Sequence, residues 1–146
     1  PVLGVIDMPV LDERWIGGRD YMARLNGSPV SVRPCEQLSN AILAATSPSM
    51  FEGAEEIYTK LCAGTRYQVY GGDCHNFATL AGGHVDLCVE AGLQDYDFLA
   101  VVPVIEAAGG IVTDWEGNRP APGSTNRICA AGDKRVHDAA LEILNS

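Results

Sequence analysis

The first third of the chain carries short β-rich runs broken by turn residues. Beyond residue 40, such runs alternate with stretches whose apolar residues recur at helical spacing. Residues 2–10 and 14–18 predict two strands, with Leu11, Asp12 and Glu13 as the turn between them. Residues 21–25 and 30–32 predict a hairpin around Asn26-Gly27, a pair suited to the positive φ angles of a two-residue turn. The first third is therefore expected to be a small antiparallel meander.

From residue 41 the pattern changes. Residues 41–46 predict an apolar strand that ends at Thr46-Ser47-Pro48, and residues 51–62 an amphipathic helix with Glu52, Glu55, Glu56 and Lys60 outward. Residues 67–70 form a strand running into Gly71-Gly72, after which Asp73 caps a helix over 75–81 that stops at Gly82-Gly83. A strand over 85–90 leads to an almost wholly apolar helix. It opens at Asp95, read as its N-cap, and closes on Gly109-Gly110. Pro103 lacks the N–H that would pair with the Leu99 carbonyl, so this helix is expected to bend. Residues 111–114 and 128–131 are the last strands, separated by a Pro/Gly/Asn-rich loop at 117–126, and Asp133 caps a final helix over 136–144. The alternation predicts an α/β class: a mixed sheet with helices on both faces, preceded by the meander. With no repeat, low-complexity tract or linker, one domain over residues 1–146 is expected.

Composition narrows the function. A hydrophobic fraction of 47% and a charged fraction of 20% are those of a globular protein, and no apolar run approaches a membrane span. The net charge of −9 argues against nucleic acid as a partner, because counterion release needs clustered Lys and Arg. A phosphate ligand would need divalent cations between it and the protein. Cys35, Cys62, Cys74, Cys88 and Cys129 are odd in number, scattered and without a Cys-x-x-Cys, and read as buried reduced thiols of a cytoplasmic or plastid-type compartment. The start, Pro1-Val2-Leu3-Gly4, has neither an initiator Met nor a basic signal region and suggests a piece of a larger protein.

Three carboxylates fall at strand-to-helix corners: Asp73, Glu90 and Asp97. In open α/β sheets ligands bind beyond the carboxyl ends of the strands, where these corners lie. The plainer alternative makes Asp73 only a cap and Glu90 a solvated strand end. Asp97, at the leading end of a buried helix, suits a metal-binding or acid/base role. Other candidates are weaker. Cys74 and His75 are adjacent on a helix and point about 100° apart, so Cys74 reads as a packed thiol near the pocket. His75, His84 and His137 lack metal-ligand spacing and read as surface or cap residues. Glu106 reads as structural, bonded to backbone.

The run from Tyr96-Asp97 through Glu106-Ala107-Ala108-Gly109-Gly110 resembles the C-terminal signature of the inositol monophosphatase family, with Tyr96 in place of the usual Trp and Pro103 inside the helix. That resemblance implies a Mg²⁺-dependent phosphomonoesterase in which Asp97 is a metal ligand and Glu90 faces the organic part of the substrate. Asp73 stands where inositol-specific members carry a small residue. Asp73, Glu90, Gly71, Gly72 and Cys74 are thus the expected substrate-binding residues, with the two glycines admitting close backbone approach.

Two carboxylates facing the ligand favour a cation. Together with the segments at 46–53, 71–74 and 102–106, they resemble the histidinol-phosphatase branch, whose substrate is a small phosphorylated amino alcohol. Inositol phosphate or another small ester is the alternative, and a non-catalytic binding module of the same fold the alternative of another class. The family completes its metal site from an upstream Glu and an Asp-Pro-x-Asp-Gly-Thr segment that are not in these 146 residues. The chain is therefore expected to be the C-terminal half, inactive without the N-terminal half, in a protein that by family habit is a homodimer.

Overall fold

The computed structural model describes residues 1–146, which divide between two sheets. β1 (Leu3–Met8), β2 (Glu13–Gly18), β3 (Tyr21–Leu25) and β4 (Ser28–Pro29) form an antiparallel meander in that spatial order. Alternation governs it: Ile6, Trp15 and Ala23 are buried, while Leu3, Val5 and Met22 on the other face are exposed. Asn26 and Gly27, at φ 49° and 85°, make the expected two-residue turn. The strand predicted at 30–32 does not form. The Val30 N–H still donates to the Ala23 carbonyl at 3.0 Å, but the Val32 N–H turns instead to the Ala108 carbonyl at 3.0 Å.

The second sheet holds β5 (Ile42–Ala45), β6 (Tyr67–Tyr70), β7 (Leu87–Glu90), β8 (Ile111–Thr113) and β9 (Ile128–Ala131), in the order β6-β5-β7-β9-β8. The β6-β5-β7 portion is parallel, and β9 and β8 are antiparallel to their neighbours. Helices cover both faces, so β7 and β9 are buried along their whole length. On one face α1 (Glu55–Gly64) and α5 (Lys134–Leu144) enclose Leu43, Leu61, Leu87 and Val136. On the other, α2 (Cys74–Ala81), α3 (Asp95–Phe98) and α4 (Val101–Ala107) pack between this sheet and the meander around Trp15, Phe77, Leu80 and Val102. Gly4 and Gly17 let α4 lie close to the meander: a Cβ on Gly4 would collide with the Ala100 carbonyl oxygen, and one on Gly17 would sit 2.7 Å from the Val104 Cα.

Several local expectations are corrected. The first long helix starts at Glu55 rather than 51, because Gly53 takes φ +77° and the chain before it makes a single 3-10 turn at Pro48–Met50. The helix predicted from Asp95 is two pieces. Leu99 and Ala100 keep helical dihedrals, but the ladder breaks where Pro103 withdraws its donor. Asp95 does not cap it. Gln94 is the N-cap residue, and the Asp95 carboxylate instead accepts the Gly123 N–H at 2.9 and 3.0 Å. Glu106 makes a bidentate ion pair with Arg119 rather than backbone bonds. His137 is buried, with Nε2 2.9 Å from the Thr113 hydroxyl, because its position on α5 faces the sheet. All five cysteines are free thiols, but only Cys88 and Cys129 are buried. No helix is long and apolar enough to cross a membrane.

Candidate functional site

Parallel strands deliver their carboxyl ends to one edge of the sheet. Here those ends are Thr46 after β5, Gly71 after β6 and Glu90 at the close of β7. Thr46 joins all three. Its carbonyl accepts the Gly71 N–H at 3.0 Å, while its own N–H and hydroxyl both donate to Glu90 Oε1, at 2.7 and 2.8 Å. From Gly71 the chain turns through Gly72 and Asp73 into α2, and from Glu90 it turns through Leu93 into α3, which carries Asp97. Between these corners lies a cavity of about 350 Å³. Asp73, Glu90 and Asp97 all line it, with Thr46 and Cys74 beside them and an apolar wall of Met50, Phe77 and Leu93. Tyr96, at 82% exposure, stands on its rim.

The three acids differ in surroundings. Glu90 is 1% exposed; burial pushes its pKa up, the Thr46 hydroxyl and amide oppose that, and the charge of Asp73 adds to it. Asn76, on α2, also lies close enough to oppose the rise. Yet neither its Nδ2 nor Glu90 Oε2 makes a hydrogen bond of ordinary geometry, and both are buried. Asp97 is held by the Gln94 N–H, which donates to Oδ2 at 2.8 Å. Asp73 occupies the N-cap position of α2, but its side chain makes no capping bond, and its backbone sits at φ 45°, ψ −127°. Such a conformation costs a non-glycine residue about 1–3 kcal/mol. No Lys or Arg pairs with any of the three. The cavity is a concentration of uncompensated negative charge, suited to cations and N–H donors.

The other predicted residues fall around this centre. Cys74 is exposed rather than packed away, with Sγ 3.9 Å from Met8 Sδ, and partial burial pushes the pKa of its thiol up. Gly71 and Gly72 stand behind the lining rather than in it. What Gly72 provides is room for Asn76, whose Oδ1 a Cβ there would strike. His75 turns away to Glu13, 3.0 Å from its Oε2. Thr46 and Asn76 were not anticipated. Thr46 was legible as the end of the strand beside β7, and Asn76 as a polar residue directly before the mostly apolar run Phe77 to Ala81.

As a metal site the chain is incomplete. No group of three or more His, Cys, Asp or Glu side chains converges closely enough to hold an ion. Asp97 offers one hard oxygen on a fixed helix start, which fits Mg²⁺ as a single ligand among several.

Comparison with known proteins places these features in a family. A model of the inositol monophosphatase family matches residues 1–146. The chain is 47% identical to a bifunctional phosphatase, IMPL2, chloroplastic, of Arabidopsis thaliana, covering 99% of this chain and 44% of that protein. It is 35% identical to a histidinol-phosphatase of Streptomyces coelicolor, over 99% of this chain and 56% of the relative. A solved inositol monophosphatase from Zymomonas mobilis superimposes with a TM-score of 0.97 at 41% identity, covering 100% of this chain and 58% of that one. The chain thus spans about half the length of the relatives it matches.

Proposed function

The chain belongs to the inositol monophosphatase family, and from that premise we propose that it is the substrate-reading half of a phosphatase for small phosphate monoesters, histidinol phosphate foremost. One observation carries this reading. Three carboxylates without a cationic partner surround one cavity, and the most buried of them has an oxygen with no hydrogen-bond partner. A protonated amine or imidazole supplies that missing donor, and a charge-assisted hydrogen bond is roughly twice as strong as a neutral one. Asp73, which would be surplus beside a neutral polyol, then has a charge to meet.

Asp97 would contribute one oxygen to a Mg²⁺ site completed by ligands from outside these residues, and an ion held there would supply Lewis-acid polarisation of the phosphate and a more acidic water. Gln94 fixes Oδ2 of Asp97 and leaves Oδ1 without a protein donor. Glu90 and Asp73 orient the amino-alcohol portion, while Met50, Phe77 and Leu93 exclude water from one side. The exposed apolar side chains of the meander, Leu3, Val5 and Met22, offer the remaining half of the enzyme a surface to cover. The chain by itself is expected to release no phosphate, and the full-length protein is expected to work as a homodimer.

Inositol phosphate is the second reading, because a ring hydroxyl also satisfies Glu90 Oε2. A binding module without catalysis is the third. Phosphate release by the full-length protein with Mg²⁺, measured on histidinol phosphate and inositol phosphate side by side, separates them. Preference for the first supports the proposal, preference for the second transfers it to the polyol, and no release from either leaves the module.

A further inference from the structure

We propose that Thr46 is a positioning residue that determines what the cavity accepts: by saturating Oε1 of Glu90, it commits Oε2 to the donor that the ligand brings. This deepens the reading above and rests on it for the identity of the ligand.

The case is geometric. Thr46 lies directly beyond β5, whose parallel pairing with β7 sets Ala44 opposite Cys88 and so brings Thr46 level with Glu90. Two donors from one residue, N–H and hydroxyl, meet the same carboxylate oxygen at 2.7 and 2.8 Å. A carboxylate accepts at both oxygens, yet Oε2 is buried and makes no hydrogen bond of ordinary geometry, the Asn76 amide being near Glu90 but itself unpaired, and Glu90 borders the cavity. Leaving a buried charged acceptor unpaired is costly, and native proteins keep such groups mainly where a ligand or water completes them.

The side chain cannot swing to relieve Oε2 without giving up both bonds to Thr46. Thr46 therefore holds Glu90 with one oxygen spent and leaves Oε2, which the nearby Asn76 amide does not engage in ordinary geometry, as the acceptor still open to a ligand. Through its carbonyl it also holds Gly71, the start of the corner that carries Asp73. One residue thus sets the spacing between the two acids proposed to read the substrate. A site built around a buried acceptor rejects ligands that leave it unpaired more strongly than an apolar pocket rejects a misfit.

Thr46→Val is the test, because it removes the hydroxyl and keeps both backbone bonds. In the full-length protein it is expected to raise KM for histidinol phosphate about 10-fold, with a smaller change in kcat, and Thr46→Ser is expected to restore KM. An unchanged KM in Thr46→Val, or failure of Ser to restore it, overturns the proposal. If the wild-type protein does not hydrolyse histidinol phosphate, the substrate reading falls but the positioning claim does not. A crystal structure of Thr46→Val then decides it. A Glu90 carboxylate displaced or rotated from its wild-type place supports the claim, and one that has not moved sinks it.

Discussion

Two buried carboxylates stand at opposite ends of one strand and are treated in opposite ways. Asp86, immediately before β7, is 2% exposed, and Glu90, at its far end, is 1% exposed. Each is gripped by a backbone N–H of the neighbouring β5 segment at a separation of 44 residues: Ile42 donates to Asp86 at 2.8 Å and Thr46 to Glu90 at 2.7 Å. There the likeness stops. Asp86 also receives a bidentate pair from Arg33, at 2.7 and 2.6 Å, so both its oxygens are engaged by a cation. Glu90 has no cation, and its Oε2 makes no hydrogen bond of ordinary geometry. The first is a staple, tying the segment after the meander to the start of the sheet. The second borders the cavity, at the end where ligands bind in such folds.

The comparison can be broken most sharply at its structural end. Asp86→Ala strands the Arg33 head and the Ile42 N–H. It is expected to cost about 3 kcal/mol in urea unfolding, toward the low side for a buried pair because the Arg33 side chain is 41% exposed. A loss under about 0.5 kcal/mol, the range of ordinary surface substitutions, would make the two ends alike. At the site end, Asp97→Asn in the full-length enzyme is expected to lower kcat by more than the ~10–100-fold typical of groups behind metal ligands, and to weaken the Mg²⁺ dependence. Unaltered magnesium titration would take Asp97 out of the metal shell.

Glu90→Gln sharpens the contrast by separating function from stability. KM for a cationic substrate is expected to rise about 10-fold. Meanwhile the melting temperature at neutral pH rises, because the variant no longer ionises a buried carboxyl. The sign follows from the direction of the shift. Burial holds the folded-state pKa of Glu90 above its unfolded value. Its contribution to stability is thus full below the unfolded pKa and lost as pH climbs through the folded one. Variant and wild type should converge near pH 4 and diverge toward pH 7, and a constant difference across that range would contradict the account. The smallest effect is expected from Asp73→Gly. Relief of the positive φ should stabilise the fold by about 1 kcal/mol, while the lost charge weakens cation binding a few-fold. A loss of stability would mean that the aspartate side chain supports the turn.

How much of this was legible beforehand depended on how local the cause was. The Asn26-Gly27 turn, the first three strands of the meander and the Pro103 interruption are set by residues adjacent in the chain, and the structure has them where the sequence put them. Asp73, Glu90 and Asp97 were visible as acids at strand-to-helix corners, a rule that needs only element order. Glu106 and His137 were misread because their partners, Arg119 and Thr113, lie elsewhere in the chain, and no spacing rule links them. The caps at Asp73 and Asp95 were inferred from residue type alone. The first fails because Asp73 enters the helix from a positive-φ turn and its side chain makes no capping bond, and the second because Gly123 claims it.

The sequence by itself determined the α/β class, the meander, the family signature and the candidate acids, because periodicity, turn chemistry and motif spacing are written within short stretches. Only the tertiary structure decided that the three acids share one cavity, that Thr46 holds Glu90, and that Asp86 is neutralised while Glu90 is not. Those facts depend on which strands lie side by side, and a hydrogen bond between residues 44 apart exists only once the sheet has brought their strands into register.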